Sequence, residues 1–181
     1  GTVEQWTRAV TKGRLAAEDA ADARRRLKGD TNAEALASAD LVIEAVFEDF
    51  DVKQSEFERL SSIVAPTAII ATNTSSFRVD DLARFVRRPE RFLGLHFFVP
   101  AQINRLLEVV RGRATDTSTI AASLALAQRL GKEALPCRDS YGFAVNRFFV
   151  PCANEAVRLV DEGTSPERID AVSRTAFGAQ L

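Results

Sequence analysis

The sequence predicts an α/β fold, an open, mostly parallel sheet of βαβ crossovers with no glycine-rich first turn, running into the start of an all-helical domain. Three observations predict it. Between residues 41 and 137, short apolar runs alternate with amphipathic stretches long enough to be crossover helices. After Arg138 the pattern turns wholly helical. The nine glycines stand at 1, 13, 29, 94, 112, 131, 142, 163 and 178, so none forms a Gly-x-Gly-x-x-Gly turn or a P-loop after a first strand.

Taken in order, residues 1–30 read as two helices. The first carries Val3, Trp6 and Val10 at i, i+3 and i+7, and the second, LAAEDAADARRRLKG, stops at Gly29. LVIEAV (Leu41 to Val46) reads as a strand, and DVKQSEFERLSSIV as a helix with Phe57, Leu60 and Val64 on one face. AIIAT (Ala68 to Thr72) is the next strand, followed by a short helix around VDDLARFV and the runs Phe92 to Phe98 and Leu106 to Val110. The gap between those two runs is too short for a helix, which suggests an antiparallel member. A helix from about Thr117 to Leu130 ends at Gly131, and EALPC is the last strand. GFAVNRFFVPCANEAVRLV (Gly142 to Val160) is one helical pattern that Pro151 should kink. A final helix opens at Ser165-Pro166, a capping residue followed by a first-turn proline, and should bury Ile169, Val172 and Ala176. The domain boundary is expected near Asp139 to Tyr141, giving a partial α/β domain over 1–139 and the beginning of a helical domain over 140–181.

Composition narrows the function classes. The 181 residues carry 24 basic and 25 acidic side chains, a formal net charge of -1, so no strong field recruits nucleic acid or an anionic membrane. No apolar run approaches the roughly 18 residues of a membrane span, and the amino end has no signal-peptide pattern; a cytoplasmic or matrix-like protein is expected. Cys137 and Cys152 lack metal-ligand spacing and read as reduced packing residues, and no metal is expected. A chain that starts at Gly1 without a single methionine is expected to be part of a longer product.

Three segments carry chemistry. GLHFFVPAQINRLLEVV ends a strand with the only imidazole, His96, and places Glu108 on the neighbouring strand. Catalytic groups of open α/β sheets sit at the carboxyl ends of strands. An imidazole can remove a proton from an alcohol, and a carboxylate on its other nitrogen would fix the tautomer; a satisfied core histidine is the alternative. ATNTSSF supplies Asn73, Thr74, Ser75 and Ser76 after a strand, either to polarise a substrate oxygen or to cap the helix starting near Val79. VIEAVFEDFDVK puts Glu44, Glu48 and Lys53 after another strand. Glu48 could accept from a ribose or simply be a surface acid. The pair Asn146-Arg147 interrupts an apolar helical face, which is costly unless a partner is met.

Together, ADLVIEAV with EDFDVK, ATNTSS, LHFFVP with LLEVV, and DSYGFAVNRFFVP resemble the L-3-hydroxyacyl-CoA dehydrogenase family, including 3-hydroxybutyryl-CoA dehydrogenases and the dehydrogenase part of multifunctional β-oxidation enzymes. The resemblance runs from about Val3 to Gly178. It implies a Rossmann-type domain and an all-helical dimerisation domain that together oxidise the 3-hydroxyl of an acyl-CoA with NAD. By resemblance His96 is the general base and Glu108 its carboxylate partner. Ser75 contacts the substrate oxygen near the cofactor, and Asn146 helps position the substrate. Glu48 and Lys53 match the pair at the nicotinamide end of NAD, and Lys12 corresponds to a lysine that meets the CoA phosphates. Two departures stand out. Val99 replaces the family's asparagine or serine in HFF-x-P, removing a hydrogen-bonding group from the nicotinamide side. The glycine fingerprint, the ribose-binding acid and most of the helical domain have no counterpart. The competing expectations are a non-catalytic module that only dimerises or binds acyl-CoA, and a same-superfamily dehydrogenase of a sugar acid or free hydroxy acid.

Overall fold

The computed structural model describes residues 2–178. It divides into two compact units, Gly1–Ala35 and Leu36–Leu181. The first holds α1 (Thr2–Thr11) and α2 (Ala17–Arg26), neither of which buries a residue completely. Helix α2 stops short of Gly29 because Leu27 turns to extended backbone (φ -79°, ψ 121°) after three consecutive arginines at the helix end.

The second unit is built on a five-stranded sheet in the order β1-β2-β3-β4-β5. The strands are β1 (Leu41–Glu44), β2 (Ile69–Thr72), β3 (Phe92–Phe97), β4 (Leu106–Arg111) and β5 (Glu133–Arg138). All neighbours are parallel except β3 and β4, where the short connection permits only an antiparallel return. Crossovers are made by α3 (Phe50–Ile63), the single turn α4 (Val79–Ala83) and α5 (Thr117–Arg129). Helix α3 is started by Asp49, whose carboxylate accepts from the Val52 amide at 3.0 Å. Gly131, at φ +66°, stops the chain just past α5.

Side-chain alternation on β3 and β4 divides the core between the two sheet faces. Leu93, Leu95, Leu107 and Val109 pack with Ala127 of α5 on one side. On the other, Phe92 and Val110 pack with Phe57 and Leu60 of α3, Val79 and Leu82 of α4, and Phe143. Gly94 lies on this second face because nothing larger fits: a Cβ there would stand 2.9 Å from the Val110 Cβ and 3.1 Å from Val79.

Strands β1 and β3 each end earlier than the apolar runs suggest. The Val46 amide leaves the ladder to bond the Glu44 carboxylate at 2.7 Å. Helix α6 (Val145–Asp161) begins three residues later than its pattern, because Gly142 and Phe143 are both left-handed (φ 71° and 45°). Pro151 lies inside it and leaves the Arg147 carbonyl without its helical donor. Helix α7 (Pro166–Phe177) is capped by Ser165 and closed by a left-handed Gly178. The expected burial of Val172 and Ala176 is corrected. Ile169 is half-buried, but Val172 is 59% exposed and Ala176 is exposed, with Ser173 as the buried position. Helix α7 packs on α6.

Candidate active site

The pairing register of β3 and β4 sets His96 directly opposite Glu108. Side chains opposite one another in an antiparallel pair point to the same face, and here the His96 Nδ1 lies 2.7 Å from Glu108 Oε2. Both groups are buried, Glu108 completely. The other carboxylate oxygen, Oε1, accepts from the backbone amides of Ala144 at 2.9 Å and Val145 at 2.8 Å, where α6 begins. A carboxylate only accepts, so the shared hydrogen sits on Nδ1 and the Nε2 lone pair remains to receive a proton. The rings of Phe98 and Phe143 flank the imidazole, with centroids 4.5 and 5.8 Å away.

Cys137 of β5 lies behind the pair, its Sγ 3.8 Å from Glu108 Oε1. Burial, then the neighbouring Glu108 charge, pushes this thiol up to about 11. It stays protonated at neutral pH and serves as packing.

A second cluster forms where β1 and β2 end. Lys53, almost wholly buried on α3, reaches Glu44 Oε1 at 2.7 Å and Glu48 Oε2 at 3.1 Å. Glu44 also accepts from the Thr72 hydroxyl at 2.8 Å. Glu48 Oε1 accepts from the Thr74 hydroxyl in a short contact, and from the Ser75 and Ser76 amides at 3.1 Å each. Burial alone would raise the Glu48 carboxyl. The Thr74 hydroxyl, the Lys53 ammonium and the Ser75 amide outweigh it and hold the group below its ordinary value.

The two clusters are linked. Asn146, in the first turn of α6, donates its side-chain amide to the Ser75 carbonyl at 3.4 Å. Asn73 Oδ1 accepts from the Phe97 amide at 2.8 Å, tying the end of β2 to the end of β3. The contacts therefore run from His96 through Glu108, the start of α6, Asn146, Ser75, Glu48 and Lys53 to Glu44. Val99, 90% exposed in the loop after β3, does not enter this run of contacts, and Lys12 is exposed just after α1 in the first unit. Hydroxyls of Thr74 to Ser76 do not cap α4. Asp139 does, accepting from the Val79 and Asp80 amides at 2.8 Å each. Asp139, Glu44 as a buried partner, and the Ala144 and Val145 amides escaped the sequence reading. A leading acid sixty residues distant carries no local signal, and backbone donors carry none at all.

The open, mostly parallel sheet is a Rossmann-type α/β domain, and the aligned histidine–carboxylate pair where β3 meets β4 is its candidate acid–base site. Comparison with known proteins agrees. Residues 1–140 match the sequence model described as 3-hydroxyacyl-CoA dehydrogenase, NAD binding domain, and residues 142–181 match the corresponding C-terminal domain. The chain belongs to the 3-hydroxyacyl-CoA dehydrogenase family and carries its NAD-binding domain. It is 41% identical over 170 residues to the 3-hydroxyadipyl-CoA dehydrogenase of Escherichia coli, covering 93% of this chain and 36% of that one. The crystal structure of (S)-3-hydroxybutyryl-CoA dehydrogenase from Ralstonia eutropha superposes with a TM-score of 0.93 at 38% identity, covering 97% of this chain and 62% of that chain. That of 3-hydroxybutyryl-CoA dehydrogenase from Escherichia coli gives 0.90 at 39%, with 95% and 37% covered. The chain thus spans 36% of the length of the curated relative it matches.

Proposed function

We propose that the protein transfers a hydride between C3 of a 3-hydroxyacyl-CoA and NAD, with His96 as the base. The observation that carries this is the Nδ1–Oε2 contact of 2.7 Å, which leaves one imidazole nitrogen free to act. In the oxidative direction Nε2 takes the 3-hydroxyl proton as the hydride leaves C3. Glu108, its carboxylate held by two amides, keeps the ring oriented and stabilises the imidazolium that forms. Ser75 presents its hydroxyl to the substrate oxygen from the loop after β2, and Asn146 holds that loop to α6 while helping to position the substrate. Lys12 serves the CoA phosphates.

The donor set after β1 and β2 fits the nicotinamide half of NAD: Glu48 is an aligned, partly exposed carboxylate able to accept from a ribose, Lys53 fixes it, and Phe47 and Val99 offer exposed apolar surface. The chain's glycines form no turn for the pyrophosphate. NAD+ supplies the hydride acceptor when bound. The reading extends to a cytoplasmic homodimer. No helix among the described residues is long and apolar enough to cross a membrane. The helical segment exposes Phe148, Val150, Val157 and Val172, an apolar surface of the kind subunits bury.

Calorimetric titration with NADH and with acetoacetyl-CoA tests the proposal. Saturable binding of both is expected. Binding of acetoacetyl-CoA alone would favour the non-catalytic module.

A further inference from the structure

We infer that the left-handed turn Gly142-Phe143 is a positioning element of the His96–Glu108 pair, so that the entry to the helical segment decides which imidazole nitrogen is the base. The inference rests on the proposed function for its catalytic meaning and on geometry for its content.

Glu108 has both oxygens committed, Oε2 to the imidazole and Oε1 to two consecutive backbone amides at 2.9 and 2.8 Å. Helix α6 has no acidic residue in its first turn and no side-chain cap of its own. A carboxylate from β4 takes that role, with the helix dipole adding to its attraction. Two successive amides converge on one oxygen only because the residues just before them are left-handed, Gly142 at φ 71° and Phe143 at 45°. Phe143 is the single non-glycine residue with positive φ among the described residues. For an L side chain that conformation is disfavoured by the clash of Cβ with the following carbonyl, and it persists only where the surroundings over-determine it. Here the Phe143 ring is buried at 4% exposure, packs in the core with Val110, and lies 5.8 Å from the imidazole. Burial of the ring holds the turn, the turn aims the amides, the amides fix the carboxylate rotamer, and the carboxylate holds the hydrogen on Nδ1. If the turn relaxes, Glu108 is free to rotate and the imidazole loses the acceptor that selects its tautomer.

The chain has one histidine, so its imidazole nitrogens are assigned without ambiguity in a two-bond ¹H–¹⁵N correlation spectrum. At a pH where the ring is neutral, the unmodified protein should show Nδ1 protonated and Nε2 bare. Gly142→Val, which resists the left-handed region, should reduce the Nδ1–H form several-fold, whereas Gly142→Asn, which enters that region more readily, should retain most of it. Both variants add the same Cβ, which at 142 stands 3.2 Å from the Arg147 amide nitrogen and from Asn146 Cβ. The difference between them isolates the turn. Unchanged backbone amide shifts at Leu93, Leu95 and Val109 report an intact sheet. If Gly142→Val does not fold, Phe143→Ala, which frees the buried anchor, should show the same loss. Retention of the Nδ1–H form in either folded variant overturns the inference, and so does an equal loss in Gly142→Asn and Gly142→Val. The readout needs neither substrate nor cofactor, so its failure is distinct from failure of the dehydrogenase reading.

Discussion

His96 and Glu108 are cross-strand partners in the antiparallel β3–β4 pair, and the twelve-residue interval between them matters only through that register. A slip by one residue would send one of them to the opposite sheet face. Replacing the carboxylate by an amide, Glu108→Gln, preserves shape and volume but lets a donor face the ring or the two amides. Turnover should fall by about 10²–10⁴-fold, the usual reach of general acid–base assistance, with little change in KM. Steady-state kinetics with acetoacetyl-CoA and NADH measure it, and a KM effect alone would contradict the orienting role.

Lys53 is the cation that two carboxylates share, and it is only 1% exposed. Removing one partner of a buried ion pair leaves the other charge uncompensated. Lys53→Met should therefore destabilise the fold by about 3–5 kcal/mol, read from urea unfolding. Adding Glu44→Gln should recover part of that loss, because the two sites are in contact. Strict additivity of the two variants would show that the charges are not coupled.

The lowered Glu48 carboxyl makes stability depend on pH in a defined direction. A group whose folded value lies below its ordinary 4.5 stabilises the fold above that pH and loses the contribution as pH falls through the folded value. Urea midpoints recorded from neutral to acid pH should drop more steeply in the unmodified protein than in Glu48→Gln. Solvent screening keeps the difference modest, since over a third of the side chain is exposed. Parallel curves would contradict the assignment.

Val99, 90% exposed, puts an isopropyl group at the position where, by resemblance, the family carries asparagine or serine. Val99→Asn should tighten NADH binding by about 2–10-fold, the equivalent of one net hydrogen bond of ~0.5–1.5 kcal/mol. Calorimetry decides it, and an unchanged Kd means the contact was never limiting.

The sheet was legible because its strands are apolar runs bounded by polar turns, and the antiparallel return was legible from the short span between Phe97 and Leu106. His96 and Glu108 were visible as a lone imidazole and an acid inside an apolar run. Lys53 was visible as a partner of Glu48 through the resemblance, but its burial was not, since that depends on partners from β1 and the loop after it meeting α3. Val172 and Ala176 keep helical apolar spacing yet face outward. Periodicity reports a face fit for burial, not what covers it.

The most direct test of the account is turnover of acetoacetyl-CoA with NADH by His96→Ala. The account predicts a loss of about 10²–10⁴-fold with NADH affinity essentially unchanged, because the imidazole moves the proton while the proposed cofactor contact is made by Glu48, which the buried Lys53 holds in place. Turnover equal to that of the unmodified protein would contradict it.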